Sequence, residues 1–191
     1  MVAVLVSWFA FATITGVPVG LGPAPTSSGG GGGGATPVYL SINNPFDTEN
    51  NSSADQYAPA NFTVPSHTEL EITLTNYDTG QNVVTPNEAA VSGTVGDCVY
   101  LNAPPSSLGP CVKSVNTGFV SHTFSFESGA YAGFNVPVPS AAASPPGGIG
   151  ASVTFFVFFN TTGTFTWNCL APCDTWSMST DGFMTGTMTV H

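Results

Sequence analysis

The sequence predicts a mostly β domain, a sandwich or barrel of antiparallel strands, preceded by one apolar N-terminal helix. Three observations predict it. From residue 37 onward the apolar residues fall in short runs, several alternating with a period of two. Clusters of Gly, Pro, Asn and Ser separate those runs. Nothing in the same stretch carries the period of a long amphipathic helix.

Residues 1–17 (MVAVLVSWFAFATITGV) are uncharged and almost wholly apolar, and Pro18 ends their helical pattern. A membrane-spanning helix needs about 20 such residues, so a single transmembrane anchor is expected at the short limit. A signal-like segment is the competing reading, although no basic residues precede the apolar stretch. Residues 18–36 form a Pro-then-Gly linker whose glycine run, Gly29 to Gly34, makes a flexible tether. The domain itself is expected over 37–191.

Its strands follow in order. PVYLSI (37–42) and NFTV (61–64) are short alternating runs, and ELEITLTNYD (69–78) sets Leu70, Ile72 and Leu74 on one face against Glu69, Glu71, Thr73 and Thr75 on the other. A long loop region is expected over 79–117. FVSHTFSF (119–126) places Val120, His122, Phe124 and Phe126 on one face. VPVPSAAASPPGGIG (136–150) predicts a loop, and SVTFFVFFN (152–160) is apolar enough for a fully buried strand. GTFTWNC (163–169) and GFMTGTMTV (182–190) close the domain.

Lysine and arginine together number one, Lys113, against eleven acids, for a formal net charge of −10. Binding to nucleic acid phosphates needs a cluster of cations, so that class is excluded. Ser, Thr and Asn stand where a cytosolic surface would carry charges, which suits an external face in strongly acidic medium or under glycans. Asn50, Asn51, Asn61 and Asn160 each open an N-x-S/T triplet. Both routes predict an extracytoplasmic domain on the cell membrane. Four cysteines agree, since an even count outside the cytoplasm favours disulfides. Cys98 and Cys111 bracket LNAPPSSLGP at a spacing that a local disulfide would staple. Asp47, Glu49 and Asp55 lie in an Asn/Ser/Asp loop without an EF-hand's order, which reads as a solvated loop.

A second group of residues carries chemistry. His122 lies on a strand, Cys169 and Cys173 follow an aromatic strand in W-N-C-L-A-P-C, and Met184 opens the last strand. Thiolate, imidazole and thioether are soft donors that favour copper. Two cysteines four apart outside the cell can instead close as a disulfide. His122 would then be a satisfied strand histidine and Met184 core filling.

Residues 61–191 resemble the cupredoxin superfamily. The resemblance rests on FTVPSHTELEITLTNYD, on SHTFSF and on GTFTWNCLAPCDTWSMSTDGFMTGTMTV. It implies a Greek-key β-sandwich carrying a copper loop. The C-x-x-x-C spacing is similar to the copper-A loop of haem–copper oxidase subunit II, and the anchor–linker–domain plan is also similar to the archaeal sulfocyanins. It implies His122, Cys169, Cys173 and Met184 as metal ligands, with the Ala171 carbonyl beside them. The family's second histidine is expected four residues after the second cysteine, and that position holds Ser177. His67 and His191 are the remaining histidines.

These features predict a non-catalytic subunit of a membrane respiratory complex, like subunit II of a terminal oxidase with an incomplete copper-A site. Its expected partners are the membrane subunits of that complex and the lipid bilayer through residues 1–17. The alternatives are a membrane-anchored mononuclear copper electron carrier and a structural cell-surface or filament protein.

Overall fold

The computed structural model describes residues 34–45, 54–102, 108–143 and 150–191. The expected anchor (1–17), most of the linker, Asp47, Glu49 and the triplets at Asn50 and Asn51 lie outside the described residues. Among the described residues no helix is long and apolar enough to cross a membrane.

Among the same residues, ten strands build two five-stranded sheets. They are β1 (Thr36–Ile42), β2 (Tyr57–Ala58), β3 (Phe62–Val64), β4 (Glu69–Asn76), β5 (Tyr100–Leu101), β6 (Val120–Phe126), β7 (Phe134–Pro139), β8 (Ala151–Phe158), β9 (Gly163–Asn168) and β10 (Thr185–Val190). One sheet runs β2-β1-β4-β8-β5 and the other β3-β10-β9-β6-β7. The segment 57–64 starts in the first sheet as β2 and ends in the second as β3, so it laces the two together.

The alternation in β4 is realised as read. Leu70, Ile72, Leu74 and Asn76 are buried, and the residues between them are half-buried. The inner faces meet around Phe124, whose ring lies 5.4 Å from Trp167, 5.5 Å from Phe126 and 6.0 Å from Phe134. Such tilted and edge-on pairs stabilise a core beyond the area they bury. Cys98 and Cys111 form the expected disulfide, with Cα atoms 5.6 Å apart.

Two expectations are corrected. The sandwich is mixed: β1 pairs with β4, and β3 with β10, in parallel. Chain crossings between the layers bring these strands back in the same direction, which hairpins alone cannot do. Residues 136–139 are not loop, because β7 extends from Phe134 to Pro139 with all six residues buried. Pro137 and Pro139 disguised it. They are tolerated because β7 is the edge of its sheet, where a missing N–H breaks no inner ladder.

Candidate metal centre

The structure gathers His122, Cys169 and Cys173 at one end of the sandwich. His122 Nδ1 lies 3.1 Å from Cys173 Sγ and 3.9 Å from Cys169 Sγ, and the two sulfurs are 3.4 Å apart. Both cysteines are free thiols, well beyond the S–S bond length of about 2.05 Å. His122 is fully buried, Cys169 nearly so and Cys173 half-buried.

Local structure explains the convergence. The pairing of β6 with β7 shifts register between Val120 and His122, leaving Ser121 as the extra residue of a bulge. Bulges re-aim side chains. Here Ser121 Oγ donates to Asp78 Oδ2 at 2.8 Å, and His122 Nε2 lies 3.1 Å from the same oxygen. Asp78 lies two residues past the end of β4, and its other oxygen accepts from Gly80 N at 2.9 Å in a tight turn. With Nε2 turned to the acid, Nδ1 is left facing the sulfurs.

The thiols hang on β9. After Asn168 this strand leaves β6, to which it is paired only at Ser125. Thr123 then takes over with its N–H on Cys169 Sγ at 3.4 Å and its Oγ1 accepting from Leu170 N at 2.7 Å. The Ala171 carbonyl lies 3.7 Å from Cys169 Sγ and accepts from Cys173 N at 2.7 Å. Met184 stands across the ladder from Cys169, its carbonyl accepting from Cys169 N at 2.8 Å, and is fully buried.

The position expected to hold a second histidine is otherwise used. Between Cys173 and Met184 the chain forms a short helix, α1 (Thr175–Ser179), capped by Asp174, which accepts from the N–H groups of Trp176 and Ser177. Ser177 is buried, and its hydroxyl bonds back to the Asp174 carboxylate, so this side chain completes the cap. His67 and His191 cannot replace the missing ligand. His67 precedes β4 while Asp78 follows it, and eight strand residues separate the two ends by roughly 23 Å. His191 pairs through its backbone with Val64 and Ser66, at the His67 end.

The electrostatics form a relay. The bond to His122 holds the Asp78 carboxyl well below the usual carboxylate range; burial opposes this, and the Gly80 N–H and Ser121 hydroxyl add to it. Burial pulls the His122 value down, but the Asp78 bond and the bond and charge of Cys169 outweigh it and raise it to about 9. Burial likewise opposes ionisation of Cys169, yet the bonds from Cys173 and His122, the His122 charge and the Thr123 N–H lower its pKa well below the ordinary thiol value. The bond to Cys169, followed by burial, pushes the Cys173 thiol up. These shifts share one direction: they favour negative charge on Cys169, the proton on Cys173 and positive charge on His122.

The donor set fits a soft metal ion. A trigonal or tetrahedral ion with bonds of about 2.0–2.3 Å spaces its donors about 3.3–4.0 Å apart. The separations of 3.1, 3.4 and 3.9 Å need only small adjustments to meet that spacing. Sequence reasoning missed Asp78, the acid that orients the imidazole. The signal was available in N-Y-D-T-G, an Asx-turn pattern closing the β4 strand.

The sequence matches no family profile and no curated protein. Among solved structures the chain is similar to rusticyanin from Thiobacillus ferrooxidans, at 13% identity, 83% of this chain, 79% of that one and a TM-score of 0.39. It is also similar to an amicyanin variant in its Cu(I) form, at 11% identity, 82% of each chain and a TM-score of 0.34. Superpositions this loose do not themselves assign a fold.

Proposed function

We propose that this chain is a copper-binding, electron-transfer domain of cupredoxin type, tethered to the extracytoplasmic face of the membrane as a subunit of a respiratory complex. One observation carries the reading: an imidazole nitrogen and two thiol sulfurs converge within 3.9 Å of one another at one end of a β-sandwich. The cupredoxin resemblance of residues 61–191 supports the same reading.

Cys169, Cys173 and His122 Nδ1 would hold the ion, with Met184 as the fourth donor. Copper there supplies one-electron exchange. The chain's own part is to bind and orient. Asp78 fixes the ring of His122, Thr123 N–H stabilises charge on Cys169, and the sandwich holds both loops rigidly. Two thiolates with a single imidazole favour Cu(I). With one histidine at the site, the reading is a single copper in a domain that resembles oxidase subunit II without the full copper-A set.

Purification of the full chain from its native membrane tests this. Copper at one equivalent, in company with haem-bearing membrane subunits, is the expected result. Copper without such subunits would favour a free membrane-anchored carrier. Metal-free polymers would overturn both and favour a structural surface protein.

A further inference from the structure

Cys169 is 2% exposed, yet its side borders an open cleft. The cleft has a volume of about 440 Å³ and is lined by Glu88, Glu127, Asn168, Leu170 and Met178 as well as Cys169. It opens where β9 leaves β6 after the Ser125–Asn168 pair, since the strands no longer close against each other. Glu127 follows the end of β6, and its Oε2 accepts from Asn168 Nδ2 at 3.2 Å. Glu88 is fixed by reciprocal bonds with Thr85. Met178 reaches the cleft from α1. A second hollow of about 510 Å³ shares Glu88, Glu127 and Leu170 and widens the opening.

The lining combines two acids, Glu88 and Glu127, with the half-buried Met178 and the buried Cys169. Among the described residues no cation lines it, and the chain has only Lys113 to offer. Acids raise the local concentration of cations in a low-dielectric cleft. A thioether is a soft, weak donor that can take Cu(I) and pass it on. Cys173, the less buried thiol, faces a different pair of acids, Asp78, engaged by His122 and Ser121, and Asp55, which accepts from Asn43 Nδ2 at 2.7 Å, so an Asp55 variant tests that side as the alternative route.

We infer that this cleft is the entry by which Cu(I) reaches the thiols, with Glu88 and Glu127 drawing the ion in and Met178 serving as a transient ligand. The inference rests on the copper reading of the thiol site.

Anaerobic stopped-flow mixing of the full chain with Cu(I) in acetonitrile, following the sulfur-to-copper ultraviolet band, tests it. E88Q/E127Q and M178L are expected to slow loading about tenfold, within the range of electrostatic focusing, while still binding one equivalent at the end point. D55N is expected to load at the wild-type rate. Unchanged rates in E88Q/E127Q and M178L would overturn the inference, as would slowing confined to D55N. Loss of final stoichiometry at an unchanged rate would also overturn it, since it would make these residues ligands and not an entry. A wild-type chain that develops no band contradicts the copper reading itself, a result distinct from unchanged loading rates.

Discussion

The Nε2 of His122 lies 3.1 Å from Oδ2 of Asp78, and this contact decides which ring nitrogen faces the two cysteines. An acid behind a metal-binding imidazole fixes its orientation and raises its basicity. D78N keeps the shape of the side chain but removes the charge. Copper affinity in D78N should fall about 10- to 100-fold, measured by competition with a Cu(I) chelator. Unchanged affinity would mean that the acid is structural only.

The same pair makes the stability of the metal-free domain depend on pH in two directions. The Asp78 pKa is lowered from 3.8, so its contribution is present above that value and is lost as pH falls through the depressed range. The His122 pKa is raised from 6.5 to about 9, so its contribution is complete below 6.5 and is lost as pH rises through about 9. The lowered Cys169 pKa acts oppositely to His122, its contribution growing as pH rises towards the ordinary thiol value of 9.0. Thermal unfolding of the metal-free chain should therefore become easier towards acid pH, where Asp78 and Cys169 both lose their contributions, and vary little between about pH 6.5 and 9, where the His122 and Cys169 changes oppose each other. In D78N the acid-side loss should be smaller.

Only two of the four cysteines should react with a thiol reagent in the unfolded, unreduced chain, because Cys98 and Cys111 are joined. The disulfide closes a loop with a sequence separation of 13. In C98S/C111S, unfolding free energy should drop by about 3 kcal/mol, read from denaturant curves. Copper uptake should persist, since Cys169 and Cys173 are untouched.

Gly186 faces Trp167 across the β9–β10 ladder, and the indole Nε1 donates to the Ala60 carbonyl at 2.9 Å. A Cβ at Gly186 would stand 2.2 Å from that carbonyl oxygen and 2.9 Å from the ring. Both neighbours are fixed, one being backbone and the other a fully buried indole. G186A should lower stability by about 1–3 kcal/mol through overpacking. An unchanged midpoint would show that β3 and β10 can separate freely.

Much of the sandwich was legible because burial leaves its period in the sequence. The alternation of β4 predicted its burial, and the cysteine spacing predicted the Cys98–Cys111 bond; the apolar run of β8 predicted a strand but not its outer face, where Phe156 is half-buried and Phe158 is 46% exposed. Strand β7 was hidden by its prolines, which propensity reads as loop and an edge position permits. The two-residue strands β2 and β5 carry too few side chains to show a period. At the candidate site, His122, Cys169 and Cys173 stood out by residue type and spacing. For Asp78, N-Y-D-T-G announces the turn it sits in, but its contact with His122 depends on a bulge at Ser121 that no local pattern announces. The glutamates of the cleft were equally invisible, since Glu88 and Glu127 meet only through the folding of distant segments.

On the proposed reading, Cys169, Cys173 and His122 hold one copper ion. X-ray absorption at the copper edge, on the full chain loaded with one equivalent of Cu(I), tests it most directly. The expected spectrum has a shell of two sulfurs at about 2.3 Å and a nitrogen at about 2.0 Å, by analogy with other tightly bound d¹⁰ ions, with the sulfur shell reduced in C169S and in C173S. A shell of nitrogen and oxygen alone, unaltered by those substitutions, would contradict it.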